Sequence, residues 1–130
     1  MDFELTPIGV VRSPLTDASA APKQGTEGGP EARLEFEESV REGLKDIRPG
    51  DRLIVLTWLD RADRSVLAVR PRGDAAKPLT GVFSTRSPHR PNPIGLHPVT
   101  VLAVSGTTLL VNDLEALDGT PIVDLKPVIG

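Results

Sequence analysis

Thr85-Arg86-Ser87-Pro88-His89-Arg90-Pro91-Asn92-Pro93-Ile94-Gly95-Leu96 is the stretch from which the architecture can be read outward. Its three prolines, Pro88, Pro91 and Pro93, fix φ and remove three amide donors, so the segment reads as neither helix nor interior strand. It reads instead as a stiff, extended loop carrying Arg86, His89, Arg90 and Asn92 on a backbone with little entropy left to lose. Ordinary loops are built from Ser, Gly and Asp. Guanidinium forks suit carboxylates, phosphates and aromatic faces, so this loop reads as a binding element.

The same punctuation runs along the whole chain. Thirteen prolines and twelve glycines in 130 residues argue for many short elements rather than long helices. Residues 5–12 read as a first strand, and residues 13–30 as a long loop rich in Pro, Gly, Ala, Ser and Thr. Leu34 and Phe36 alternate inward along residues 33–37. Val40, Leu44 and Ile47 lie at helical spacing, with Ser39 and Glu42 forming a capping box, so residues 39–47 are expected to be a short helix. Pro49-Gly50 ends it. The apolar run 53–59 reads as a central strand covered on both faces. Residues 66–70, 79–84, 99–104, 108–111 and 122–125 complete the strands, with Ser105-Gly106 as a hairpin signal. The expectation is an all-β fold: one domain over residues 1–130, a closed or partly open β-barrel of about seven or eight short strands with one short helix.

Composition narrows the function. Cysteine is absent, and His89 and His97 are the only histidines, so no disulfide framework, thiol nucleophile or zinc site is expected. Residues 1–5 carry two acids and no apolar run, and no stretch is long enough to cross a membrane, which gives a soluble, cytoplasmic protein as the expectation. The net charge of −3 hides an asymmetry: residues 61–90 carry a local balance of +5 and the remainder −8. One anion-attracting face on an acidic body follows from that split. With one Trp, three Phe and no Tyr, stacking of single-stranded bases on an aromatic platform is not expected. No Gly-Lys-Ser/Thr loop, no G-x-G-x-x-G and no paired-carboxylate or Ser-His-Asp pattern occurs.

Two further segments accompany the loop. Asn112-Asp113-Leu114-Glu115 through Asp118-Gly119-Thr120-Pro121 makes a good turn by itself, and its carboxylates could also face the arginines to bind ribose hydroxyls or an amine. Pro22-Lys23-Gln24-Gly25-Thr26-Glu27-Gly28-Gly29 reads, on its residues alone, as linker chemistry.

Taken together, Gly81-Val82-Phe83-Ser84 leading into the proline loop, Leu117-Asp118-Gly119-Thr120-Pro121-Ile122-Val123-Asp124-Leu125-Lys126-Pro127, and Ile8-Gly9-Val10-Val11-Arg12-Ser13-Pro14 closely resemble the TsaA/TrmO family from end to end. That resemblance implies a β-barrel, S-adenosylmethionine-dependent tRNA methyltransferase, acting as a homodimer on N6 of threonylcarbamoyladenosine beside the anticodon. Carried over by position, it implies cofactor contacts from Gln24, Gly25, Thr26, Asp60, Arg61, Arg86, Leu96, Asn112, Asp113, Leu114 and Glu115. Substrate contacts are expected from His89, Arg90, Asn92 and Asp118, with Arg90 and His89 receiving tRNA phosphates while Arg86 holds the cofactor; no catalytic residue is assigned. No metal and no membrane enter this reading.

The chain departs from the family pattern in three places. Lys23 stands where members usually carry Arg, keeping charge but losing the fork. Trp58-Leu59-Asp60-Arg61 replaces an aromatic-rich run ending Phe-His, and the C-terminal extension of longer members is not part of this sequence. Two other readings are a methyltransferase of the same fold acting on a small molecule, and a non-enzymatic S-adenosylmethionine-binding module.

Overall fold

The computed structural model describes residues 1–16 and 29–130. Eight strands occur there: β1 (Gly9–Arg12), β2 (Ala32–Phe36), β3 (Arg52–Trp58), β4 (Ala68–Val69), β5 (Thr80–Gly81), β6 (Ile94–Ser105), β7 (Thr108–Val111) and β8 (Pro121–Pro127). Six of them close into an antiparallel barrel in the order β1-β2-β7-β6-β3-β8, and β4 and β5 form a separate two-stranded ribbon. Closure is made by a short β1–β8 seam, Gly9 opposite Ile122 and Val10 opposite Pro121.

Alternation places the core. Leu34, Val55, Leu109, Val111 and Ile122 point inward and are fully buried, joined by Val11 from β1 and by Leu114 beyond β7. Burying aliphatic side chains of this size stabilises the barrel by about 1.5–3 kcal/mol each. The β6–β7 hairpin turns on Gly106, whose φ of 60° belongs to the left-handed region that glycine enters without strain.

Three sequence expectations are corrected. The helix is a seven-residue 3-10 segment, Glu38–Leu44, capped at Glu37 without any side-chain hydrogen bond, so the Ser39–Glu42 capping box does not form. Gly43 lies within it, and so short a segment gains too little from hydrogen bonding to repay α-helix nucleation. β3 alternates rather than being buried on both faces: Leu53, Val55 and Thr57 are buried, while Ile54, Leu56 and Trp58 are half-covered. The proline motif also does not end before the sheet. Ile94-Gly95-Leu96 opens β6, which runs on through Pro98. That half of β6 pairs only with β3, because the ladder to β7 begins at Val101, so the missing proline donor breaks no bond on the open side.

Candidate functional site

A cleft of about 360 Å³ opens at that gap. One wall is the proline loop, another the turn after β3, and the third the segment that follows β7. The floor comes from the barrel's own inward rows. Along β3 and β6 the cross-strand pairs run Leu53–Val99, Val55–His97 and Thr57–Gly95, so the interior turns from apolar to polar towards this end. At Thr57 the β3–β8 register also shifts, one residue of β3 spanning two of β8, the kind of bulge that re-aims a side chain.

Thr57 is fully buried, and its hydroxyl lies 2.7 Å from Nε2 of His97. The other ring nitrogen, Nδ1, hydrogen-bonds Oε1 of Glu115. Against a carboxylate, the nitrogen at this contact is the donor, so Nδ1–H donates to Glu115, while Nε2 and the threonine hydroxyl share the second hydrogen bond. Gly95 makes room for the ring, since a Cβ there would stand 2.6 Å from Nε2 and closer still to Thr57 Oγ1. Glu115 thus bridges the wall where the β6–β7 backbone ladder has stopped. Its second oxygen, Oε2, is buried with no hydrogen-bond partner among the described residues.

The loop wall is held by its own polar groups. Arg90 donates from Nη1 to the carbonyls of Thr85 at 3.2 Å and Ser87 at 3.0 Å, and from Nη2 to that of Val82 at 2.8 Å. Asn92 Oδ1 accepts from Arg64 Nη2 at 3.0 Å, and Arg64 Nε donates to the Pro91 carbonyl at 2.7 Å while its guanidinium lies 5.1 Å from the Trp58 ring centre. His89 Nδ1 accepts from the Asp63 amide at 2.9 Å. The Asp63 carboxyl is in turn held below its ordinary range, first by the Ser65 hydroxyl and then by the Ser65 amide, against the opposing effect of desolvation and with His89 nearby.

The expected site residues therefore divide. Asp60, Arg61, Arg86, His89, Arg90, Leu96 and Glu115 all line the cleft. Arg86 is exposed and has no hydrogen bond or ion pair among the described residues, whereas Arg61 reaches the Thr16 carbonyl at 3.3 Å. Three of the Asn112–Glu115 group lie elsewhere. Asn112 Oδ1 accepts from the Thr100 amide, Asp113 takes a turn at φ 51°, and Leu114 is in the core. Ala116 and Leu117 line the cleft in their stead. Asp118 accepts from the Ser13 amide at 3.0 Å and faces a second hollow beside Arg12, Glu31 and Arg33. Gln24, Gly25 and Thr26 fall outside the described residues. Sequence reading missed Thr57 and His97; the available signal was two polar residues standing in rows that are otherwise apolar and inward.

The profile of the tRNA-methyltransferase O N-terminal domain matches residues 10–130. A probable S-adenosyl-L-methionine-binding protein of Archaeoglobus fulgidus is 49% identical over 127 residues, covering 98% of this chain and 34% of its own length. One from Methanothermobacter thermautotrophicus, with the same description, is 42% identical, covering 98% of this chain and 90% of its own. The crystal structure of TrmO from Pseudomonas aeruginosa superposes with a TM-score of 0.79 at 28% identity, over 99% of this chain and 57% of that one. This chain thus spans about a third of the first relative and little more than half of the solved structure.

Proposed function

The chain belongs to the family of the tRNA-methyltransferase O N-terminal domain, and from that premise we propose that it is an S-adenosylmethionine-dependent methyltransferase of tRNA. The finer reading is methylation of N6 of threonylcarbamoyladenosine beside the anticodon. The observation that supports the reading is the cleft itself: Arg86, a guanidinium without a partner among the described residues, shares it with Glu115, whose Oε2 is buried, and with an apolar wall from Ile94 and Leu96.

Those residues fit the cofactor's chemistry. Arg86 suits a carboxylate, and Ile94 and Leu96, both partly exposed, offer a surface for an adenine ring. Asp60 and Arg61 supply an acceptor and a further cation on the same cleft, and family position adds Gln24, Gly25 and Thr26 to the proposed cofactor contacts. When bound, the cofactor supplies an electrophilic methyl group, so the protein's principal task is orientation. Arg86 fixes one end of the ligand, the barrel floor fixes the depth, and the braced loop keeps the walls from adapting.

The acceptor approaches over the basic segment 61–90. His89, exposed and with Nε2 unpartnered among the described residues, is assigned to it, together with Arg61 and Arg86 at the rim. Arg90, Asn92 and Asp118 are assigned to bracing, because the hydrogen bonds they make hold backbone and neighbouring side chains. A homodimer would cover Leu67, Leu79 and Phe83, which lie exposed on and beside the ribbon.

The test is transfer of a labelled methyl group to bulk tRNA from cells lacking the modification, with small metabolites as competing acceptors. Label in threonylcarbamoyladenosine of the tRNA is expected. Label in a metabolite alone would overturn the tRNA assignment. Relatives described as S-adenosyl-L-methionine-binding proteins favour a second reading, a binding module without turnover. Tight cofactor binding with no transfer to any acceptor would establish that one instead.

A further inference from the structure

We infer that Glu115 is the proton acceptor of the methyl transfer, and that His97 and Thr57 are its positioning residues. The assignment rests on the methyltransferase reading above. A nitrogen that carries a hydrogen must lose it when methylated. The balance is direct: the acceptor's N–H bond breaks, its proton passes to Oε2 of Glu115, and the electron pair forms the N–C bond. The S–C bond of the donor breaks, leaving its pair on sulfur, and the carboxylate and sulfonium charges cancel.

Four observations converge on this residue. Oε2 is buried, unpartnered among the described residues, and belongs to a side chain that lines the cleft. Its other oxygen is held by His97 Nδ1, and His97 is 3% exposed and held in turn by the fully buried Thr57. A chain of two positioning groups behind one acceptor is what a positioned general base requires. The alternatives on the same cleft are weaker: Asp60 is exposed and makes no side-chain hydrogen bond among the described residues, and His89 is exposed with Nδ1 occupied by the Asp63 amide. Gly95 is the fourth observation, since the space that admits the imidazole exists only without a Cβ.

The experiment separates cofactor affinity from turnover. Glu115→Gln keeps an oxygen to accept from His97 but cannot take a proton. It is expected to leave S-adenosylmethionine affinity within about threefold of wild type and to lower kcat by about 100-fold or more. Thr57→Val, isosteric and without the hydroxyl, is expected to lower kcat about tenfold at unchanged affinity. In the ligand-free protein, long-range ¹H–¹⁵N correlation of the two histidines should show His97 protonated on Nδ1, with the signal displaced in Glu115→Gln. Loss of cofactor affinity in step with turnover would make Glu115 a cofactor ligand and overturn the assignment. So would full activity in Glu115→Gln, or a His97 protonated on Nε2 alone. A wild-type protein that transfers no methyl group to any acceptor would overturn the underlying reading, and the assignment with it.

Discussion

The two walls that face each other across the cleft are built on opposite principles. On the loop side, Arg90, Asn92, His89 and Arg64 bond to one another's neighbourhood and to backbone carbonyls, leaving Arg86 as the cation without a partner among the described residues. On the barrel side, Thr57, His97 and Glu115 form a line of buried polar groups that ends in an oxygen without one. The loop is the more conspicuous in sequence, yet two of its polar side chains, Arg90 and Asn92, are taken up by bracing. The barrel side looks like ordinary strand, yet it holds the deficit that a ligand can relieve. A buried polar group left unpaired costs about 1–3 kcal/mol, and proteins keep such deficits where they serve a function.

That contrast can be broken by substitution. The largest stability effect is expected at Gly95→Ala, where the added methyl meets both Thr57 and His97. Urea unfolding should show a loss of about 2 kcal/mol or more, and the His97 signals should shift. An unchanged midpoint would mean that the imidazole is free to move and that the floor is not preorganised. Arg90→Ala comes next, at roughly 2 kcal/mol, because three carbonyls lose a charged donor. Arg90→Lys should not restore it, since an ammonium lacks the fork that spans them. Loss of RNA binding with stability intact would reverse the assignment of Arg90 from brace to contact.

Asn92→Ala should cost less, under about 1 kcal/mol, because Arg64 keeps the Pro91 carbonyl and the Trp58 face. The smallest effect is a pH dependence. The Asp63 carboxyl sits below its ordinary range, so its stabilisation is present above that range and is lost as pH falls through the folded value. The difference between wild type and Asp63→Asn should therefore shrink only below about pH 4. A difference that grew on acidification would contradict the Ser65 and His89 arrangement.

How far the sequence could be read follows the same division. The proline loop was legible because proline and arginine act locally, and the barrel class because alternation and glycine-proline punctuation do too. The 3-10 segment Glu38–Leu44 was misjudged because Val40, Leu44 and Ile47 pack on the core at a spacing that both helix types can meet. The run of β6 through Pro98 was hidden because the cost of proline depends on which edge is paired, a fact of topology. Thr57, His97 and Glu115 become one group only when the register sets Thr57 opposite Gly95 and the chain after β7 returns across the gap. Residues 40 and 18 positions apart in sequence carry no local signal of that meeting.

The most direct test of the cleft is calorimetric titration of the wild type and Arg86→Ala with S-adenosylmethionine, with ATP as the control ligand. Saturable binding selective over ATP, lost by at least tenfold in an Arg86→Ala protein of unchanged stability, is the predicted result. Absence of binding, or binding that Arg86→Ala leaves intact, would contradict it.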